Sequence, residues 1–363
     1  MTGDPGITAP GSDDTVSGPG HLIVSEGWPG GYALLDSGKG RKLERFGAIL
    51  VDRPEPQALW SPRLSPDAWA KADAVFLGSG EEDGDDLPAP RPAGGLKGKG
   101  KGKASRADAA GSPQVAGQAI GTSRWTLKTG IPETWAVSLS AVRFFGRLTP
   151  FRHLGYFPEQ KPHWDWMGSH LRKTRQPDGQ PPLLLNLFGY TGVGSLLAAA
   201  AGASVTHVDA SKKALTYARE NRDLSSMDDA PIRWICEDAR GFLARELRRG
   251  RRYQGILVDP PKYGRGPKGE VWDLFSDLPA LLEDCKAVLD PDHGAMVLTT
   301  YAIRASHLAL YELSAEVLAP LNGTLQAGEL AVRETPDPKQ SNPAPGRLLA
   351  TSHFCRWQAR AHG

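Results

Sequence analysis

The stretch from Leu183 to Ser211, LLLNLFGYTGVGSLLAAAAGASVTHVDAS, constrains the fold more than any other part of the chain. A short apolar run meets a glycine-rich loop, an alanine-rich run follows, and a second apolar run ends in Asp209. The order is strand, loop, helix, strand, and it repeats downstream. Strand-like runs fall at 183–187, 204–208, 231–235, 255–258 and 294–299. Helical stretches lie between them at 194–202, 211–225, 239–249 and 272–289. Strands alternating with helices predict an α/β fold with a doubly wound, mostly parallel sheet.

At 363 residues the chain has room for a second domain, and a 40% hydrophobic content supplies cores for both. Residues 1–19 are rich in Gly, Pro, Ser, Thr and Asp and read as a disordered tail. From 20 to 150 the texture is β: HLIVSEG, YALLDSG and FGAILVDRP are short apolar runs between turn residues, and short strands resume at Ser123. This β-rich accessory domain is interrupted at 79–118 by an acidic block, a Pro-rich spacer and a Lys-Gly alternation, which reads as a flexible insert. Residues 151–363 form the α/β domain.

The longest apolar stretch, Leu183 to Ala201, is broken by Asn186, the glycines, Thr191 and Ser195, so no membrane span is expected. The N-terminus lacks the basic and apolar segments of a secretory signal. Cys236, Cys285 and Cys355 form no pair at metal spacing; an odd, sparse count suits the reducing cytoplasm, with no metal site. A net charge of +2 neither demands nor excludes a nucleic-acid partner.

In a doubly wound sheet, ligands sit beyond the carboxyl ends of the strands. Three positions converge there: the loop Asn186 to Gly194, Asp209 at the tip of the second strand, and Asp238 after the third. The loop glycines permit close backbone approach to a ligand. Asp209 lies where an acidic side chain suits ribose hydroxyls, and Asp238 where one reaches an adenine amino group. The glycine order is G-x-x-G-x-G (Gly189, Gly192, Gly194), not the dinucleotide G-x-G-x-x-G. Alone, the loop is compatible with an S-adenosylmethionine site, a dinucleotide site or a structural turn. The fourth strand ends in Asp259-Pro260-Pro261-Lys262-Tyr263. Two prolines with fixed φ and no N–H make a stiff corner, suited to holding a planar acceptor against a cofactor.

Taken in order, these motifs resemble the class I S-adenosylmethionine-dependent methyltransferases. The closer likeness is to the bacterial large-subunit ribosomal RNA methyltransferases, in particular the cytosine-5 group with a PUA-like N-terminal domain. It covers residues 150–320, where HLGYFPEQKPHWDWM is similar to the family's Gly-x-Phe-x-x-Gln segment, with Pro158-Glu159-Gln160-Lys161 replacing the usual Leu-Asp-Gln-Arg. The resemblance implies a Rossmann-like methyltransferase sheet beside a β-rich accessory domain. It implies that Phe157, Gln160, Asn186, Phe188, Gly189, Tyr190, Thr191 and Gly192 line the methionine and ribose region. By the same likeness Asp209 binds ribose, Ala210, Ser211 and Asp238 bind adenine, and Asp259 faces the methionine amino group or the incoming base. Trp164 and Trp166 read either as packing at the domain junction or as base-stacking residues.

Cytosine-5 transfer requires a thiolate that adds to the ring. The segments where such a cysteine is expected read DPPKYGRG and MVLTTYAIRAS, with Tyr301 in the place of the thiol. Cys285 sits among Leu281, Leu282, Val288 and Leu289 at helical spacing and reads as core; Cys236 falls on the wrong side of the cofactor, and Cys355 in the tail. The expected reaction is therefore direct transfer to a ring nitrogen or exocyclic amine, with proximity and orientation as its main source of rate. Asp259 is the candidate proton acceptor and Tyr263 a candidate stacking platform. The segment GRGPKGEVW reads as a flap over substrate or an exposed loop, with Trp272 opening the next helix.

Between 141 and 175 seven Lys or Arg stand against two acids, interleaved with Phe, Trp and His. That mixture suits single-stranded or looped RNA, and together with the resemblance it implies ribosomal RNA or a ribosomal subunit as the partner. A second basic run, 245–253, reads as a solvated helix end. The other functional readings are a protein or small-molecule methyltransferase and a non-catalytic RNA-binding assembly factor that retains the cofactor pocket.

Overall fold

The computed structural model describes residues 17–77, 124–150, 152–174, 176, 178–301, 305–336 and 345–360. The expected insert, and the expected tail up to residue 16, lie outside the described residues.

Strand β1 (Gly18–Ser25) comes first. Strands β2 (Tyr32–Gly38), β3 (Arg41–Phe46) and β4 (Ile49–Pro54), the single turn of α1 (Pro66–Trp69), and strands β5 (Ala74–Phe76) and β6 (Trp125–Leu127) follow. β2 to β6 form a five-stranded sheet in sequential order, and β7 (Thr134–Leu139) pairs with β8 (Val142–Arg147) as a hairpin. β7 alternates strictly, its Trp135, Val137 and Leu139 buried and the residues between them exposed, as a half-buried strand must. A 3-10 turn (Pro158–Gln160) then leads into α2 (Lys161–Lys173).

The α/β part runs β9 (Leu183–Leu187), α3 (Val193–Ala200), β10 (Ser204–Asp209), α4 (Lys212–Leu224), β11 (Ile232–Cys236), α5 (Ala239–Arg248) and β12 (Gly255–Val258). A short hairpin, β13 (Tyr263–Arg265) and β14 (Val271–Asp273), precedes α6 (Leu274–Val288). β15 (Ala295–Tyr301), α7 (His307–Leu318), β16 (Gly323–Arg333) and β17 (Leu348–Ala359) complete it. The central sheet has eight strands in the order β1-β16-β17-β15-β12-β9-β10-β11. β9, β10, β11, β12 and β15 are mutually parallel, and β17 runs antiparallel between β15 and β16. The strand order turns about β9 and β12, so the loops after them open a crevice at one edge of the sheet.

Three features depart from the sequence reading. β1 is part of the central sheet, where Leu22 opposes Glu329 and Ile23 opposes Leu330 in parallel register, so the accessory region gives up its first strand to the α/β part. Trp272 lies in β14; α6 begins only after Asp273, whose carboxylate caps it by accepting from Ser276 N at 3.0 Å. Cys355 lies in β17 opposite Leu298 rather than in a tail.

The accessory sheets do not stand apart. Phe46, Val51, Phe76, Trp125, Val137 and Phe144 share one buried cluster with Tyr156, Val193 and Leu196 of the α/β part and with Val332 and Leu349 of the β16–β17 pair. Tyr156 is the wedge, its ring 4.8 Å from Phe144 and 5.5 Å from Phe46. The β7–β8 hairpin is pinned to α4 where Phe145 N donates to Asn221 Oδ1 at 2.8 Å. Beside this apolar contact the β2–β4 sheet buries an ionic group: Arg53 donates to both oxygens of Glu44 at 2.5 and 3.0 Å, and Tyr32 OH donates to the same carboxylate at 2.7 Å.

Candidate cofactor and substrate cleft

The cleft forms where the ends of β9, β12 and β15 meet the segment ahead of α2. Its walls are Tyr156, Phe157 and Gln160 from that segment, Trp164 from α2, Asn186 to Thr191 without Leu187 from the glycine loop, Val193 and Gly194 from α3, and Leu257, Val258, Asp259, Val297 and Thr299 from the sheet. Apolar walls with a few convergent polar groups are the usual build of a small-molecule site.

The loop between β9 and α3 is bent by left-handed residues: Phe188 (φ 55°), Tyr190 (φ 48°) and Gly192 (φ 78°). For two aromatic residues that conformation is strained and has to be held by its surroundings. The holds are visible. Tyr190 N donates to Asp209 Oδ2 at 2.8 Å, Thr191 Oγ1 donates to the Gly155 carbonyl at 2.6 Å, and Asn221 Nδ2 donates to the Thr191 carbonyl at 2.8 Å. Glycine at 194 permits a close approach, since a Cβ there would lie 3.1 Å from Trp164 Nε1 and the indole would have to give way. Trp164 thus packs on α3 while lining the cleft, and Trp166 packs away from it beneath Arg356 at 5.0 Å.

Behind the loop runs a buried polar chain. Asn186 Nδ2 donates to Ser195 Oγ at 2.9 Å, and Ser195 Oγ lies 2.9 Å from His207 Nδ1. Ser195 and His207 are fully buried, and burial followed by the Arg219 charge lowers the imidazole to about 3, so it is neutral at physiological pH.

Asp259 stands at the end of β12. Gln160 Nε2 donates to its Oδ2 at 3.3 Å, and Thr299 Oγ1 donates in turn to Gln160 Oε1 at 3.3 Å. Burial, and after it the Glu159 carboxylate, push Asp259 up to about 8; the Gln160 hydrogen bond opposes the shift. Tyr301 closes this side, its ring 5.1 Å from Phe157, and Phe157 lies 6.1 Å from Tyr190. The Pro260-Pro261 corner is braced from behind, where Trp272 Nε1 donates to the Pro261 carbonyl at 2.6 Å.

Of the residues singled out in the sequence, Phe157, Gln160, Asn186, Phe188, Gly189, Tyr190, Thr191 and Asp259 are brought together in the walls. Asp209, Ala210, Ser211, Asp238 and Gly192 are not wall residues. Asp209 is tied to the wall through Tyr190, and its other oxygen accepts from Ser211 N at 2.8 Å. Ser211 caps α4, accepting from Ala214 N, and Asp238 caps α5, accepting from Gly241 N at 2.8 Å. Pro260 is buried, and Lys262 and Tyr263 stand on the hairpin outside the walls. Sequence reasoning missed Thr299, Glu159 and the Ser195–His207 pair. Ser195 and His207 were visible only as polar residues inside apolar runs.

The basic stretch ahead of β9 is partly structural: Arg147 is buried on Glu220 with its guanidinium 3.9 Å from the Tyr217 ring, and Lys161 pairs with Asp165. In the second run Arg245 pairs with Glu237 and Arg249 with Glu246, as befits a solvated helix end.

No family profile matches the chain. A SAM-dependent methyltransferase from Agrobacterium tumefaciens, known from its crystal structure, is 42% identical; the match covers 96% of this chain and 98% of that one, with a TM-score of 0.77. The ribosomal RNA large subunit methyltransferase K/L of Hahella chejuensis is 33% identical over 151 residues, 41% of this chain and 19% of that protein. The ribosomal RNA large subunit methyltransferase K of Neisseria meningitidis serogroup B is 30% identical over 126 residues, 33% of this chain and 36% of that protein. The matches thus span 19% and 36% of the length of these two curated relatives.

Proposed function

This chain belongs to the S-adenosylmethionine-dependent methyltransferases, and from that premise we propose that it methylates a base of ribosomal RNA by direct transfer to a nitrogen, with no covalent enzyme intermediate.

The cleft suits the cofactor by its donor set. Its described walls carry the Asp259 carboxyl and no Lys or Arg, so no positive side chain opposes a cationic ligand, whose charge would in turn favour the ionised carboxyl. Gln160 and Asn186 add polar contacts for the methionine end, beside Phe157, Phe188, Gly189, Tyr190 and Thr191. Each Asp209 oxygen accepts one backbone N–H and keeps a lone pair for a ribose hydroxyl. Gly192, Ala210, Ser211 and Asp238 are assigned to the nucleoside side. When bound, the cofactor supplies an electrophilic methyl group on a sulfonium.

The chain's own contribution is placement and a proton acceptor. A ring nitrogen or amine brings its own lone pair, so the acceptor needs only to be aligned and kept dry. Pro260 and Pro261 give a corner that does not flex, and Trp272 fixes it. The Gln160–Thr299 pair orients the Asp259 carboxyl, which by itself holds a proton up to about pH 8; beside a cationic cofactor the ionised form is favoured, and that form takes the proton from an amine acceptor. A thiol mechanism has no thiol at hand. Cys285 and Cys355 are buried in the core, burial pushing Cys355 up to about 12 and Cys285 further, and Cys236 faces the Ala210 carbonyl. These three unpaired cysteines also suit a cytoplasmic setting.

The observation that carries this reading is Asp259 in a cleft wall with Gln160 and Thr299 behind it and no cysteine among the wall residues. Ribosomal RNA as substrate is supported by the curated relatives' names. The test is incubation with methyl-labelled S-adenosylmethionine and unmodified ribosomal RNA, free and in subunits, followed by nucleoside mass spectrometry. Labelled methylguanosine or methyladenosine is the expected product. Labelled 5-methylcytidine refutes the direct mechanism, and cofactor binding with no label in RNA refutes the substrate.

A further inference from the structure

The β13–β14 hairpin has two unlike faces. Gly264 opposes Trp272, while Tyr263 opposes Asp273 and Arg265 opposes Val271. Opposed residues in an antiparallel pair share a face, so Trp272 points one way and Tyr263, Arg265 and Val271 the other. The Trp272 face is buried on the catalytic corner. Its indole bonds the Pro261 carbonyl at 2.6 Å, its ring lies 5.2 Å from Phe188, and a Cβ at Gly264 would stand 3.4 Å from Pro261 Cγ.

The other face is open. Tyr263 is 39% exposed and Val271 71%, and Arg265 and the turn residue Lys268 are exposed as well. The Lys262 ammonium lies 5.1 Å from the Tyr263 ring. Two acids stand near these cations and both are engaged: Glu270 accepts from Lys268 N at 2.8 Å in the turn, and Asp273, opposite Tyr263 on the same face, accepts from Ser276 N at 3.0 Å as the cap of α6. An aromatic ring and an apolar side chain set among three cations, four residues beyond Asp259, match an unpaired base and its flanking phosphates. A continuous duplex offers no free base face to such a ring.

We propose that the outer face of this hairpin docks the single-stranded acceptor segment of the RNA, one base on Tyr263 and phosphates on Arg265 and Lys268, and that Trp272 couples this surface to the cofactor loop. The coupling has a direct route. Phe188 lines the cofactor cleft in a left-handed conformation, and its ring rests on Trp272, the residue that seats the hairpin. A ligand that fixes Phe188 therefore fixes the ribbon, and RNA binding becomes tighter when the cleft is filled. This inference rests on the RNA reading above.

The experiment measures binding of unmodified large-subunit ribosomal RNA transcripts to the full chain across salt, with and without S-adenosylhomocysteine, alongside cofactor calorimetry. Tyr263→Ala is expected to weaken RNA binding about tenfold with its salt slope unchanged. Arg265→Ala combined with Lys268→Ala is expected to lower the slope of log K against log salt by about 1.4. Both keep wild-type affinity for S-adenosylhomocysteine. Wild type gains RNA affinity with S-adenosylhomocysteine; Trp272→Leu loses that gain and Trp272→Phe retains it. If wild type binds and methylates RNA while the Tyr263 and Arg265/Lys268 variants match it, the docking face is wrong and the functional reading stands. An equal gain in Trp272→Leu overturns the coupling. If wild type neither binds nor methylates RNA, the functional reading falls and this inference with it.

Discussion

Gly189 is pressed against His207: a Cβ built on Gly189 would stand 2.6 Å from the His207 Nδ1 and closer still to its Cε1. The first loop glycine is thus required by a histidine on the next strand. Gly189→Ala is expected to destabilise the protein by about 1–3 kcal/mol and to weaken cofactor binding. Adding His207→Ala, which vacates the space, should restore part of the cofactor affinity. Denaturation and calorimetry on the single and double variants check this; a single variant indistinguishable from wild type would contradict it.

The Asp259 carboxyl gives the protein a signature in pH. Burial and Glu159 raise it to about 8, whereas in the unfolded chain it titrates near 3.9. Between those values the folded chain holds a proton that the unfolded chain has released, so this group's contribution to stability falls as pH rises through the window. Asp259→Asn should therefore gain stability relative to wild type on going from pH 5 to pH 8, while losing methyl transfer. Melting curves of both proteins at the two pH values decide it, and parallel curves would count against the raised carboxyl.

Asp209→Ala is expected to weaken cofactor binding at least tenfold, because it removes the proposed ribose acceptor and frees the Tyr190 and Ser211 amides. Circular dichroism should remain that of a folded protein. Unchanged affinity by calorimetry would remove Asp209 from the site.

Cys285 is fully buried in α6. Cys285→Ala should cost about 1–2 kcal/mol of stability as a core truncation and leave the turnover of the folded protein near wild type. Loss of turnover in a folded variant would revive a thiol mechanism.

Arg53 and Glu44 form a buried pair in the accessory sheet, with Arg53 Nη1 also donating to the Arg152 carbonyl at 3.1 Å. Arg53→Met leaves the Glu44 carboxylate short of its main partner and should cost about 3–5 kcal/mol. Adding Glu44→Gln should recover much of that loss in chemical denaturation, as the uncompensated charge is then gone.

The α/β frame was legible because each of its strands is a short apolar run bounded by turn residues. The runs at 183–187 and 255–258 are β9 and β12 residue for residue, and the expected helix at 211–225 is α4 with one residue trimmed at each end. β16 and β17 were not legible, since one face packs with α7 while side chains of the other, such as Phe354 and Arg356, meet His163 of α2, and the strands mix Thr, Gln, Glu, Ser and His with apolar residues. The cleft walls on the glycine loop were legible from glycine spacing. Thr299 and Glu159 were not, because each acts through a neighbour brought in by packing, Thr299 on Gln160 and Glu159 on Asp259. For Ser211 and Asp238 the sequence suggests ligand contacts, and the structure supplies capping contacts that the same residue types make equally well.

The parallel pairing of β1 with β16 bears on how the molecule is assembled. Leu22 finds its partner only at Glu329, so a strand made early waits for one made some three hundred residues later. At ordinary rates of synthesis that wait is about 15–60 s. Until then β1 is an unpaired strand beside a nascent accessory sheet, whose own pairings are local. Closure of the central sheet is thereby a late, slow event of high contact order, and β1 is the segment most in need of shelter from other chains as the polypeptide emerges.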